Sequence, residues 1–134
     1  MFRMKKIVFS LMALCLLYSC STVPITGRKR VNFVSDAQVL PSSFQQYNDF
    51  LKDNEISKDK EKIAELNEIG ENISSAVELF MRANKMTKEA DSYKWEFNLI
   101  ENEQLNAWCL PGGKVVFYTG ILPVAKNRDG IAAI

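Results

Sequence analysis

Tyr93-Lys94-Trp95-Glu96-Phe97-Asn98-Leu99 alternates apolar and polar side chains without a break. A period of two puts Tyr93, Trp95, Phe97 and Leu99 on one face of an extended strand, with Lys94, Glu96 and Asn98 on the other. Ile100 to Gln104 reads as a polar turn, and Leu105 to Leu110 as a second strand. Pro111-Gly112-Gly113 supplies a sharp reversal into Lys114 to Thr119, a third strand rich in Val and aromatics that ends at Gly120. Three consecutive strands joined by short turns predict an antiparallel meander.

Upstream the periodicity is helical. Ile63, Leu66, Gly70, Ile73, Val77 and Phe80 follow steps of three and four, so one apolar stripe faces a core, flanked by Ile69, Ala76 and Met81. Glu61, Glu65, Glu68, Glu71 and Glu78 lie off the stripe and read as a solvated face. Gly70, on the stripe, weakens helix propensity and points to close approach by another element of the same fold. Asp36 to Asp53 carries Phe44, Tyr47, Phe50 and Leu51 at helical spacing, with Pro41 marking a break or a first turn. The mixed charges between Lys52 and Lys62 read as a solvated connection. The expected fold class is therefore α+β, with amphipathic helices packed on a small antiparallel sheet and the Trp95 face against the long helix.

Gly120 to Arg128 is a connection, and Asp129 is placed to cap a new helix holding Ile131, Ala132, Ala133 and Ile134. A helix start this short gains too few hydrogen bonds to stand alone. An apolar helix start without its continuation reads as a cut chain.

At the other end, Arg3, Lys5 and Lys6 precede an apolar run from Ile7 to Tyr18 interrupted only by Ser10. That is the build of a secretory leader, and the run is too short to span a bilayer. Leu17-Tyr18-Ser19-Cys20 resembles a bacterial lipobox, which implies cleavage before Cys20 and lipid attachment to it. The expected organisation is a signal peptide at 1–19, a lipidated tether at 20–35 and a domain over 36–134. The tether carries Pro24, Gly27 and the basic run Arg28-Lys29-Arg30, read as a solvated spacer or as cations near an anionic leaflet. The expected location is the bacterial envelope, anchored by lipid and facing the periplasm, with Ser21 after Cys20 favouring the outer membrane.

Composition excludes much. Over 134 residues the formal net charge is +1, so no broad electrostatic field points to nucleic acid. The chain has no histidine, which removes the commonest zinc ligand, the commonest general base and every Ser-His or Cys-His arrangement. With Cys15 in the leader and Cys20 lipidated, Cys109 stands alone and reads as a small packed hydrophobe. Glu96, Glu101, Glu103 and Asp129 show no spacing that singles out an acid–base pair, and read as surface.

Asn106-Ala107-Trp108-Cys109-Leu110-Pro111-Gly112-Gly113, followed by Val115-Val116-Phe117-Tyr118-Thr119-Gly120-Ile121-Leu122, resembles the stretch before the active-site helix of one protease family. That family comprises CAAX prenyl endopeptidases, HtpX-type heat-shock proteases and periplasmic lipoprotein zinc peptidases. Thr26-Gly27-Arg28-Lys29 and Ser35-Asp36 resemble its lipoprotein branch. The resemblance implies the N-terminal part of a zincin-like domain of the gluzincin type. There, His-Glu-x-x-His places two zinc ligands one helical turn apart, and a glutamate from a later helix completes the site. In the intact family protein zinc lowers the pKa of a bound water, whose proton the motif glutamate takes. None of those positions exists among these residues, so no catalytic or metal residue is carried over and this chain alone is expected to be inactive and to bind no zinc.

One role is carried over. In zincins an edge strand pairs with extended substrate through its backbone, and by resemblance Asn106, Ala107, Trp108 and Cys109 match that strand. Equally, Trp108 fills a core and Pro111, Gly112 and Gly113 turn a hairpin. The resemblance implies the front portion of a membrane-anchored zinc metalloendopeptidase that clears unfolded or misassembled envelope proteins. The alternatives are a histidine-free lipoprotein that holds peptides without cleaving them, and an inactive gene fragment.

Overall fold

Residues 20–23, 26–31 and 36–134 are described by a computed structural model of the chain. They divide between Asp36 and Ala37 into two units. The expected leader, 1–19, lies outside the described residues. In the first unit Cys20–Thr22 (β1) pairs antiparallel with Lys29–Val31 (β2), Ser21 opposite Arg30. Val23 N donates to the Arg28 carbonyl at 2.8 Å, and Gly27 N to that of Val23 at 2.9 Å. Gly27 turns the chain at φ 66°, where a side chain would be strained. Part of the expected tether is thus a short hairpin.

The second unit begins within the helix Asp36–Asp53 (α1), one residue after its start. Pro41, which the pattern places at a break or in the first turn, sits inside this helix. So near the start its missing N–H costs one backbone bond, and the residues beyond it pack regardless. Lys60–Ala83 (α2) starts at Asp59, whose carboxylate accepts from Lys62 N at 3.1 Å. A short helix, Thr87–Ser92 (α3), leads into the strand Glu96–Ile100 (β3). Ala107–Leu110 (β4) and Lys114–Tyr118 (β5) follow. A single 3₁₀ turn at Thr119–Ile121 and the helices Leu122–Ala125 (α4) and Arg128–Ala133 (α5) complete it.

The fold is α+β, but the sheet is mixed rather than antiparallel. Its order is β3-β5-β4, with β3 parallel to β5 and β4 antiparallel to it. The correction has a physical reason. Val115-Val116-Phe117-Tyr118 is apolar at every position, so β5 gains most by being covered on both faces and takes the centre. Val116 and Tyr118 join Tyr47 and Ile100 in one buried cluster, with Phe50 and Leu51 of α1 against it. Val115 and Phe117 face the other way, toward Leu66 and Ile69 of α2, Leu99, and Ile131 of α5. At roughly 1.5–3 kcal/mol per fully buried large apolar side chain, this arrangement outweighs the shorter connections of a meander.

Phe97 lies over Gly70, where an added Cβ would come within 2.6 Å of its ring. Trp95 Nε1 donates to Glu78 Oε1 at 3.0 Å, so Glu78 is partnered rather than merely solvated. The apolar stripe of α2 is followed only in its first half. Beyond Gly70 the inward positions become Ser74 and Met81, leaving Ile73 and Phe80 exposed.

The outer side of β3 is closed by the segment after α1. Ser57 N donates to the Leu99 carbonyl at 2.8 Å and Glu101 N to that of Glu55 at 2.9 Å, around an Ile56–Ile100 bridge. The expected solvated connection is therefore partly sheet. Asn127, not Asp129, caps α5, its side chain accepting from Gly130 N at 2.9 Å. Arg128 then ties the helix to α2 through its two terminal guanidinium nitrogens and Glu68, at 2.7 and 3.0 Å.

The loop from β3 to β4 is locked under Gly120. Its N–H donates to the Asn102 carbonyl at 2.8 Å, and Thr119 Oγ1 accepts from Asn102 N and donates to Asn102 O, each at 3.1 Å. A Cβ on Gly120 would collide with the backbone carbonyl of Glu103, which cannot rotate away as a side chain does. Gly120→Ala is therefore expected to cost about 1–3 kcal/mol, read as a lower urea midpoint with an unchanged slope.

Candidate functional site

β4 carries the residues expected to hold substrate, and it is an end strand. Its pairing with β5 puts Ala107 opposite Phe117, Trp108 opposite Val116, Cys109 opposite Val115 and Leu110 opposite Lys114. Tyr118 N donates to the Asn106 carbonyl at 3.1 Å. In an antiparallel ladder hydrogen-bonded pairs alternate with non-bonded ones. Trp108 and Leu110 therefore direct their main-chain groups at β5, while Ala107 and Cys109 direct theirs away from it. Among the described residues no strand pairs with that outer side.

Side chains hold the strand from both faces. On the α1 side the Trp108 ring meets Phe50 edge-on at 4.8 Å and Tyr47 at 6.3 Å. Trp108 thus fills a core and at the same time fixes the strand whose backbone is open. On the other side Ala107 packs against the α2 cluster, whereas Cys109 is exposed. Partial burial pushes the Cys109 thiol pKa up, the opposite of what a reactive thiolate needs. Leu105 and Asn106, just before the strand, are exposed.

Pro111-Gly112-Gly113 lies between β4 and β5, with Gly112 at φ 89° and Gly113 at φ 86°. Both glycines are pressed from outside: a Cβ would meet the Phe44 ring at Gly112 and the Trp95 ring at Gly113. Ser43 Oγ donates to the Pro111 carbonyl at 2.7 Å, so α1 grips the turn directly.

Sequence reasoning missed Lys114. It opens β5 almost fully buried, with Nζ 2.8 Å from Glu96 Oε2 and 5.2 and 5.4 Å from the centroids of Phe44 and Tyr47. A lone lysine leading an otherwise apolar strand was the available signal. Glu96 also accepts from Asn98 at 3.1 Å, and Asn98 donates to Tyr47 Oη at 2.7 Å. Glu101 accepts a hydrogen bond from Ser57 Oγ. Glu96 and Glu101 are thus structural partners, while Glu103 and Asp129 are exposed.

On the α2 side of the sheet an apolar groove of about 210 Å³ runs between Ile73, Trp95, Phe97 and Val115. Zinc does not fit the residues present. The chain has no histidine, and among the described residues no group of three or more His, Cys, Asp or Glu is placed to hold a metal ion. The backbone of Cys20 lies in β1, and its side chain lies outside what is described.

Comparison with known proteins bears on this strand. Residues 66–134, just over half of the chain, match peptidase family M48. The mitochondrial metalloendopeptidase OMA1 of Schizosaccharomyces pombe is 51% identical over 41 residues, 31% of this chain and 12% of that protein. The protein of the same name from Saccharomyces cerevisiae is 44% identical over 46 residues, 33% of this chain and 13% of that one. That of Arabidopsis thaliana is 32% identical over 53 residues, 40% of this chain and 11% of that one. The chain thus spans only 11 to 13% of the length of these relatives. No solved structure matches it. These relatives overturn the expected location: they are mitochondrial proteins of two yeasts and a plant, not lipoproteins of a bacterial outer membrane.

The buried Tyr47 gives a test of this packing. Burial, opposed by the Asn98 hydrogen bond and reinforced by the Glu96 charge, pushes its pKa from 10.0 up to about 12. A raised pKa favours the protonated phenol in the folded state, so its contribution is complete below pH 10.0 and lost as pH rises toward about 12. The stability difference between the wild type and Tyr47→Phe, followed by urea midpoint, is expected to shrink across that window.

Proposed function

The chain belongs to peptidase family M48, and on that premise we propose that it is the substrate-holding N-terminal part of a zinc-dependent metalloendopeptidase. The observation that carries this reading is the open side of β4, which lies inside the matched segment and offers the main-chain groups of Ala107 and Cys109. An extended polypeptide adds there as a further strand, its N–H and C=O groups bonding to those two residues. Affinity then comes from the backbone, which suits unfolded or misassembled proteins of varied sequence as substrates. The likeness of Asn106–Gly113 to HtpX-type and CAAX prenyl endopeptidases supports the same role.

In such a peptidase zinc activates the water that attacks the peptide bond. The residues of this chain do not make that site, and no step of the cleavage is assigned to them. Their part is to fix the strand: Trp108 anchors it to α1, Gly112 and Gly113 turn it into β5, and Lys114 with Glu96 ties β5 to β3. The His-Glu-x-x-His helix belongs, on this reading, to residues other than these 134. The missing histidine also favours a second reading, in which the chain holds extended peptides and cleaves nothing.

Reading the gene beyond codon 134 separates the two: an in-frame His-Glu-x-x-His supports the peptidase, and a stop codon supports the holding protein. With that helix present, zinc and an unfolded protein are expected to give cleavage that a chelator abolishes. Cys109→Pro removes an outward N–H while sparing the ladder to β5. It is expected to lower kcat/KM on unfolded substrate about tenfold, the value of roughly 1.4 kcal/mol for a lost hydrogen bond, with little change in Tm.

A further inference from the structure

Charge is divided unevenly along this chain. All 16 aspartates and glutamates lie at Asp36 or beyond, whereas Arg3, Lys5, Lys6, Arg28, Lys29 and Arg30 are the charged residues before it. Near-neutral overall charge conceals this split. The second basic group is not on a loose tether. Arg28 closes the β1–β2 turn through its carbonyl, Lys29 pairs with Thr22 and Arg30 with Ser21. The side chains of Arg28 and Lys29 are exposed, and the ion pairs among the described residues involve neither.

We propose that the β1–β2 hairpin docks on an anionic lipid surface through the exposed cations of its turn, Arg28 and Lys29. Two features favour lipid over other polyanions. Cys20 to Val31 contains no aromatic residue on which a nucleic-acid base could stack. Close upstream, Ile7 to Tyr18 is apolar with Arg3, Lys5 and Lys6 before it, a pattern that favours a lipid interface. Among the described residues no helix is long and apolar enough to cross a membrane. The ladder has already fixed the backbone of the cations, so docking costs mainly side-chain freedom. This inference is independent of the peptidase reading.

Each cation near an anionic leaflet contributes about 1 kcal/mol, so two give a preference on the order of 30-fold over neutral lipid, weakening with salt. The test is flotation of the full 134-residue chain with phosphatidylcholine vesicles, with and without phosphatidylglycerol, at low and high salt. The wild type is expected to prefer the anionic vesicles, and Arg28→Gln with Lys29→Gln to lose most of that preference while binding neutral vesicles unchanged. A companion variant, Arg3→Gln with Lys5→Gln and Lys6→Gln, is expected to keep the larger part of it. An unchanged preference in the hairpin variant overturns the proposal, as does loss confined to the companion variant or no preference in the wild type. Competition by duplex DNA, or by inorganic phosphate beyond chloride of equal ionic strength, would also overturn it, by pointing to a nucleic-acid or discrete phosphate site. Far-UV spectra of both variants keep misfolding from passing as lost binding.

Discussion

Burial of β5 on both faces is the constraint from which the main unit follows. Val116 and Tyr118 need cover on one side and Val115 and Phe117 on the other, and two helices from upstream supply it. α1 brings Tyr47, Phe50 and Leu51 to the first face. α2 brings Leu66 and Ile69 to the second, joined by Ile131 from α5. A central strand needs neighbours on both sides as well, so β3 and β4 flank it. The cost falls at Lys114, whose cation is drawn into this core; the Glu96 carboxylate and two aromatic ring faces stand in for water there.

From that arrangement the two outer sides of the sheet come to differ. The segment Glu55–Ser57 lies along β3 and takes up its outward backbone groups. β4 has no such cover among the described residues. An uncovered edge is a liability for a stable protein because it templates pairing with any extended chain. On the proposed reading the same property receives an extended polypeptide. Pairing alternates along the strand: Trp108 and Leu110 direct their main-chain groups at β5, and Ala107 and Cys109 direct theirs outward.

Local periodicity made several elements legible. Steps of three and four marked α1 and α2, alternation marked β3, and Gly70 announced the close approach of Phe97. Pairing was not legible: nothing within Tyr93–Leu99 says whether its neighbour is β4 or β5, because that choice depends on which strand gains most from double burial. Likewise Ser74 and Met81 replaced Ile73 and Phe80 as inward residues because the geometry of the partner, not the strip of sequence, decides which side of a helix is covered. Asn127 displaced Asp129 as the cap of α5 because its own side chain reaches the N–H three residues on, leaving Asp129 inside the first turn. The bacterial location came from a short N-terminal resemblance, and the relatives of the domain itself do not share it.

Amide hydrogen exchange along β4 tests the central claim most directly. The N–H groups of Trp108 and Leu110, bonded to β5, should exchange slowly, and those of Ala107 and Cys109 fast. Adding an extended, non-cleavable peptide should slow Ala107 and Cys109 and leave the other two unchanged. Slow exchange at Ala107 and Cys109 without peptide, or exchange there that peptide does not alter, would contradict an open edge that receives substrate.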